Sequence, residues 1–439
     1  MTAITLLPEN DRTNGWSADL PPRRPKPPLG RDVTADVVVI GAGFAGLGAA
    51  RRLAELRPHA KIVVLEAGQL GEGASGRNSG FAIDLPHNVG SSLEELAKGQ
   101  AYKRLARAGI ASLKETITRH GIACDWSADG KYHTASSDRG ADEVLWPTVE
   151  ELTRLGEPHE WLDRAATARR LGTRHFAAAV FTPGTVLVNP AALNRGIGDN
   201  LPENVDLYEG TPVVDAAFGA SVVLKTPGGM VRAPKAILAV NGLAMRFGFW
   251  RGRLLNFAAH ASLSRRLSAA EQAALGDIRP WGSTPANAFA GITMRYTNDR
   301  RILIRQNIHY CPGLRQSDAR RALIRTEHQR LFDQRFPMLK GVQMEHSWTG
   351  FICLSRNGAP GFGQVAPNVW SAVCQNAVGI AKGTISGRLA AAMALGEDDP
   401  LIADMASLGT PSRVPPRPFL DIGVRSRFAL EIFANRHEA

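Results

Sequence analysis

Asp36 is followed by Val37-Val38-Val39-Ile40, an unbroken apolar run of the kind found in strands buried on both faces. A glycine-rich turn over Gly41–Gly46 comes next, then a helix over 47–57 that Pro58 stops. A second apolar run follows, Lys61-Ile62-Val63-Val64-Leu65-Glu66. Strand, helix and strand in this order form a βαβ unit and predict an α/β protein. Downstream, a helix is predicted over 91–120, with Leu93, Leu96, Leu105, Ile110 and Leu113 as candidate buried positions. A second helical region covers roughly 141–171, and Ala236–Val240 reads as another buried strand ending at Asn241-Gly242. From 286 to 310 the period changes. Met294-Arg295-Tyr296, a turn at Asn298-Asp299 and Arg301-Ile302-Leu303-Ile304-Arg305 predict an antiparallel hairpin. Its pleat sets Arg301, Leu303 and Arg305 on one face and Ile302, Ile304 and Gln306 on the other. An Arg-rich helix is expected over 316–335, and a last strand-turn-helix over 369–395 resembles the first unit in character.

Ahead of this pattern, residues 1–31 are polar, with Pro21, Pro22, Pro25, Pro27 and Pro28 close together. Such a stretch is expected to join neither sheet nor helix and to wrap the surface as an extended arm. At 439 residues the chain suits two interleaved domains rather than one core. Its 44% hydrophobic and 21% charged residues describe an ordinary globular protein. A net charge of +11 allows an acidic partner or anionic substrate, with scattered arginines on a basic enzyme as the plainer reading. Cys124, Cys311, Cys353 and Cys374 are widely spaced, so neither a disulfide framework nor a metal site is indicated. The first twenty residues carry Glu9 and Asp11 and no long apolar run, and no stretch is long and apolar enough to span a bilayer. A cytoplasmic location is expected.

Candidate chemistry begins at the first turn. Gly41-Ala42-Gly43-Phe44-Ala45-Gly46 is a GxGxxG set directly after a strand and opening a helix, the context that gives this motif its meaning. Gly41 permits the tight turn, Gly43 lets a diphosphate approach the backbone at the helix N-terminus, and Gly46 allows close packing of helix on strand. Glu66, followed by Ala67, ends the second strand where a carboxylate can accept hydrogen bonds from ribose hydroxyls; it disfavours a 2′-phosphate. Gly73-Ala74-Ser75-Gly76-Arg77-Asn78-Ser79-Gly80 then supplies small and polar residues that can run beneath a diphosphate and a flavin ring, with Arg77 adding positive charge.

With this second loop the sequence resembles the D-amino-acid-oxidase-like (DAO) superfamily of FAD-dependent oxidoreductases. The likeness extends to Thr211-Pro212-Val213-Val214, to Asn241-Gly242 and to the region 348–390. Within the superfamily it is similar to the γ-glutamylputrescine oxidoreductases, through Trp348-Thr349-Gly350, Leu354-Ser355-Arg356, Pro360 and Gly363. The resemblance implies a discontinuous, glutathione-reductase-like Rossmann domain for FAD, from 34–90, 172–243 and 346–395. An interleaved α+β substrate domain would take 91–171 and 244–345, leaving 1–33 as arm and 396–439 as tail. It places Val213 at the adenine and Val378, Gly379, Ile380, Ala381 and Lys382 beside the flavin. Lys382 is the candidate for oxygen reactivity, against the plainer reading of a surface lysine. One departure stands out: where relatives carry Gly-His-Gly, this chain has Ala377-Val378-Gly379. The position corresponding to an attachment cysteine lies near Gly350 rather than Cys353, so FAD is expected to be held non-covalently.

The implied chemistry is oxidation of a C–N bond of an amine or amino acid, γ-glutamylated and secondary amines included, to an imine, with oxygen or a quinone as electron acceptor. A neutral amine needs no enzymic base, and none is assigned. Substrate contacts are expected from the hairpin: Arg305 as a bidentate partner for a carboxylate, with His309 and Tyr310 nearby and His346 and Trp348 opposite. Arg300 and Arg301 flank the turn and are read as solvated. Two other readings remain at this point. The nine Arg and four acids of 298–335 could track RNA phosphates, as in an RNA-modifying flavoprotein. A catalytically silent FAD scaffold would account for the absent His.

Overall fold

The computed structural model describes residues 2–6, 11, 13–86 and 99–439. Val37–Ile40 and Ile62–Leu65 are buried at every position, as strands covered on both faces must be. They lie inside a six-stranded sheet ordered Val205–Tyr208, Ile62–Leu65, Val37–Ile40, Lys235–Leu238, Val369–Val373 and Gly361–Ala366. The first five run parallel and Gly361–Ala366 closes the edge antiparallel. Alternate side chains feed two cores. Val37, Val39, Ile62 and Val64 pack with Leu47 and Leu53 of helix Phe44–Leu56 and with Ala390 and Ala391 of helix Ala381–Leu395. Val38, Ile40, Val63 and Leu65 pack with Val213, Leu224 and Val231 beneath a five-stranded sheet. The two helices approach so closely at Gly387 that a Cβ there would lie 1.8 Å from the Ala45 carbonyl oxygen.

The N-terminal segment departs from expectation. Thr2–Ala3 pairs antiparallel with Asp215–Ala216, and Gly15–Ala18 forms a short helix whose first turn is capped by the Asn14 side chain, which accepts from the Trp16 N–H. Pairing and helix occur where proline is absent. The proline-rich stretch that follows them has no regular structure, as residues without an N–H donor dictate. Arg23 ties that stretch to Asp199 and Glu209 at 2.6 and 2.7 Å. Glu9, Leu93 and Leu96 lie outside the described residues. Helix Gly99–His120 buries Leu105 and Leu113 and half-buries Ile110. The region 141–171 is not one helix: it stops at Leu155, where Gly156 turns at φ 66° before Pro158, and strand Glu160–Leu162 intervenes.

The second large element is an eight-stranded sheet. Thr293–Tyr296 and Ile302–Tyr310 form the predicted hairpin, with Met294 opposite Ile304 and Thr293 opposite Arg305. Ile302 and Ile304 pack on Leu331 and Phe332 of helix Asp318–Arg335, while Leu303 faces Trp348, Trp16 and Ala191. Arg301 is not solvated. It is buried and pairs with Asp299 of the turn, with Asp19 at the end of helix Gly15–Ala18 and with Glu345 of strand Met344–Ser355. Ala178–Thr182, and all of strand Met344–Ser355 from His346 on, fall within the segments assigned by sequence to the cofactor part, yet they pair in the eight-stranded sheet.

Three histidines packed into this region are forced neutral. Burial pushes His133 down to about 3 and His175 and His328 to about 4, from an ordinary value of 6.5. Below pH 6.5 the unfolded chain takes up protons that the folded chain refuses, so stability is complete above 6.5 and is lost as pH falls toward 4. Each such histidine contributes about 1.4 kcal/mol per pH unit in that window. The thermal midpoint is expected to hold at neutral pH and drop steeply on acidification; a midpoint unchanged down to the low folded value would contradict this.

Candidate active site

The first turn is built as its glycines require. Gly41 stands at φ 98° with the Ala239 carbonyl where a Cβ would project (2.7 Å), and a Cβ on Gly46 would meet the Gly41 carbonyl oxygen at 1.8 Å. Helix Phe44–Leu56 therefore starts tight against the strand end, with Gly43 as an N-cap that offers no side-chain acceptor to the first N–H groups. Glu66 accepts from the Ala42 N–H at 2.8 Å and the Gly68 N–H at 2.9 Å. Burial raises its carboxyl above the usual range, and the two backbone donors only partly offset this. The second loop makes a single helical turn, Ala74–Arg77. Ser75 Oγ accepts from the Phe44 N–H at 3.0 Å, which locks the two loops together.

These loops wall a cavity of about 350 Å³. Gly41, Ala42, Gly43, Glu66, Ala67, Gly73, Ala74, Ser75, Arg77, Val213, Asn241 and Gly242 line it, joined by Thr349, Phe351 and Ile352 from the eight-stranded sheet. A smaller cavity of about 100 Å³ adjoins it, sharing Ala74, Arg77, Phe351 and Ile352, with Asn78, Ser79, His260, Thr284, Thr293, Arg305 and Ala377 among its own walls. The donor set fits FAD. A backbone-braced carboxylate is available to a ribose, and to a diphosphate a helix N-terminus whose cap residue, Gly43, carries no side chain. Apolar Phe351 and Ile352 are available to a ring. A Cβ built on Gly73 meets nothing within 4 Å, so that loop opens onto free space.

Arg77 does not offer a free charge. Its guanidinium pairs with Asp11 at 2.6 Å and donates to the Glu72 and Thr349 carbonyls at 2.7 and 3.1 Å. Burial alone would raise the Asp11 carboxyl; Arg77 and the Thr13 hydrogen bonds outweigh it and hold Asp11 below its usual range. The remaining expected cofactor residues lie around the cavities rather than on their walls. Phe44, Ala45 and Gly46 belong to the helix start, and Gly80 (φ 78°) packs against Arg295 and the Val188 carbonyl. Val378, Ile380 and Ala381 are packed in core clusters, and Gly379 sits against Gln375. Lys382 is no surface lysine: it is fully buried, its Nζ 5.1 Å from the centre of the Tyr102 ring. Beside it, Ala377 takes φ 66° at the position of the first glycine of the relatives' Gly-His-Gly. Cys374 and Asn376 are also left-handed, a conformation costly for residues with a Cβ.

Of the expected substrate residues, the structure brings Arg305 into the smaller cavity and not the others. Arg305 is half-buried and donates to Thr293 Oγ1 at 2.5 Å and the Ala288 carbonyl at 3.4 Å, and no carboxylate among the described residues pairs with it. Burial lowers its guanidinium to about 10, which leaves it charged at neutral pH. Trp348 is fully buried and donates from Nε1 to the Arg77 carbonyl at 2.9 Å, a prop behind the wall. His346 faces Glu345, Tyr310 is held by Arg417 at 3.4 Å, and His309 pairs with Gln316 at 2.9 Å. Sequence reasoning missed His260, which stacks on His309 with ring centres 5.2 Å apart, bonds Thr349 Oγ1 at 3.1 Å and is driven to about 3 by burial. It also missed Arg295, whose guanidinium donates to the Ser79, Gly80 and Val188 carbonyls and lies 5.1 Å from the Trp16 ring. Neither carries a motif; their placement follows from strand pairing alone.

Among the described residues no cluster of His, Cys, Asp or Glu is arranged to hold a metal, and no helix is long and apolar enough to cross a membrane. All four cysteines are free and buried. The Arg-rich helix is largely self-engaged: Arg330 pairs with Glu327, Arg321 with Asp318 and Asp11, Arg325 donates to the Met344 carbonyl, and Arg335 is buried. That leaves little for a phosphate-tracking face.

The family model described as FAD dependent oxidoreductase (DAO) matches residues 36–393. A probable oxidoreductase, OrdL, of Haemophilus influenzae is 26% identical over 384 residues, covering 85% of this chain and 86% of the relative. The gamma-glutamylputrescine oxidoreductase of Escherichia coli is 26% identical over 381 residues, covering 84% and 85%. Among solved structures, glycine oxidase from Geobacillus kaustophilus aligns with a TM-score of 0.71 at 21% identity, over 87% of this chain and all of that one. L-proline dehydrogenase from P. horikoshii aligns at 0.66 and 16% identity, over 87% and 98%. These structural likenesses bear on the fold.

Proposed function

Because the chain belongs to the DAO family of FAD-dependent oxidoreductases, we propose that it oxidises the C–N bond of an amine or amino acid that carries a carboxylate, and passes the electrons to oxygen or a quinone. The observation that carries this reading is Arg305: a half-buried cation whose partners among the described residues are all neutral, lining a small chamber against the larger cavity. A charge partly withdrawn from water without a counter-ion carries a desolvation cost, and an anionic substrate group would compensate it. A γ-glutamyl amine or an α-amino acid provides that group, and both substrate types are named among the relatives and neighbours.

In this reading the six-stranded sheet with its two loops is the cofactor part. Glu66 holds the ribose, Gly41–Gly43 and Gly73–Ser75 take the diphosphate, and Val213 borders the adenine. The eight-stranded sheet is the substrate part. Bound FAD supplies a two-electron acceptor for the hydride that leaves the carbon next to nitrogen. Arg305 orients the carboxylate, and Phe351, Ile352 and Phe81 exclude water from the chamber. His260, kept neutral by burial, adds no charge to the chamber wall. No base is assigned, since an amine bound neutral needs none. Anaerobic mixing with such amines tests the function: bleaching of the flavin supports it, and its absence throughout a broad panel rejects it.

Non-covalent attachment belongs to the same proposal. Gly350 has no side chain to offer, and Cys353 sits beside Cys374 in a core cluster away from both cavities, its thiol pushed up by burial. Acid precipitation is expected to release yellow flavin into the supernatant; a yellow pellet under a colourless supernatant would contradict it.

A further inference from the structure

The matched family region ends at residue 393, and the chain beyond it builds a helix, Phe419–Ala434, that is inverted in polarity. Among the described residues eight large hydrophobic side chains are exposed, and five of them, Phe419, Ile422, Leu430, Ile432 and Phe433, are on this one helix. At 3.6 residues per turn, Phe419, Ile422, Ser426, Leu430 and Phe433 share its outward face, with Gly423, Ala429 and Ala434 filling the gaps. Arg425 and Arg436 border this stripe on one side and Arg427 on the other, all exposed. The acidic residues Asp421 and Glu431 are turned to the half-buried side.

The helix is not a loose tail. Phe428 stacks on Phe257 at 4.9 Å and meets Phe289 at 4.5 Å, and Val424 packs on the same cluster, whose Ile308 and Ile352 line the smaller cavity. Beyond its end, Glu438 is buried and accepts from the Ser136 and Ser137 N–H groups at 2.8 and 3.2 Å. The apolar stripe is therefore held outward by contacts at the helix's middle and beyond its C-terminal end, against the usual economy of a surface helix.

We propose that this helix seats the protein on an anionic lipid surface, its apolar stripe entering the boundary of headgroups and acyl chains and Arg425, Arg427 and Arg436 meeting the phosphates. The pattern of an apolar face flanked by arginines is that of helices lying in the membrane plane, and attraction to anionic headgroups complements the +11 of the whole chain. The apolar face alone would also suit a second copy of the chain. The arginines on both flanks disfavour that, since a two-fold pairing would bring them together.

The test is flotation of the full flavin-loaded protein with phosphatidylcholine vesicles, with and without phosphatidylglycerol. Binding is expected to the anionic vesicles, to weaken with salt, and to fall by at least about tenfold in a Phe419→Ser, Ile422→Ser, Phe433→Ser variant whose flavin content and thermal midpoint are kept. An Arg425→Glu, Arg427→Glu variant should lose the preference for anionic lipid. No flotation with anionic vesicles at low salt overturns the proposal. So does a concentration-dependent dimer that the serine variant abolishes without any vesicle binding by the parent protein, which would assign the face to a second copy.

Discussion

Replacing Arg305 by alanine is expected to raise the concentration of a carboxylate-bearing amine needed for flavin reduction by roughly 30- to 1000-fold, from about 2–4 kcal/mol of lost charge-assisted hydrogen bonding. A neutral amine should be affected far less. The size of the effect follows from the site: the guanidinium has Thr293 Oγ1 and the Ala288 carbonyl but, among the described residues, no acidic partner, so its charge is available to a ligand. Arg305→Lys should restore part of the loss, since it keeps the charge but not the planar fork. Steady-state and anaerobic titrations of the two amine classes decide it. Equal losses for both would remove Arg305 from substrate recognition and leave the cofactor site untouched.

A second large effect is expected from a single methyl group. In Gly46→Ala the new Cβ would lie 1.8 Å from the Gly41 carbonyl oxygen, backbone against backbone, with no side chain able to give way. The helix must lift from the strand end, and the Gly41–Gly43 turn and its bond to Glu66 move with it. Overpacking of this kind costs about 1–3 kcal/mol or more, so flavin affinity should fall by at least about fivefold and the protein purify pale. Gly73→Ala is the control: its Cβ would meet nothing within 4 Å, and that variant should stay yellow unless the cofactor itself occupies the space. Full flavin content in Gly46→Ala, measured by absorbance against protein, would contradict the tight-turn account.

What the sequence made legible were features with a local cause. The βαβ unit follows from two apolar runs and a glycine turn between them. The hairpin and its faces follow from period-two alternation, and Arg305 falls inward with Leu303 as the pleat requires. What it hid depends on partners far along the chain. Arg77 looked like a free cation until Asp11, 66 residues away, folded onto it. Arg301 looked solvated until three carboxylates closed around it. Lys382 looked exposed because polarity near a helix start gives no hint that Tyr102 packs above it. His260 reached the chamber wall through the pairing of Leu254–Ser264 with Met344–Ser355, a register no short motif encodes. The arm misled for a simpler reason: prolines forbid regular structure only where they stand, and the residues on either side were free to form it.

The central claim, that this flavoprotein oxidises carboxylate-bearing amines, is tested most directly by anaerobic mixing of the purified yellow protein with paired amines. Each pair should differ only in a carboxylate, and the flavin absorbance is followed. Rapid and complete bleaching by the carboxylate-bearing member, with slower or weaker bleaching by its neutral partner, is the expected result. A flavin that stays oxidised with every amine and amino acid offered would contradict the claim and favour a silent FAD-binding scaffold.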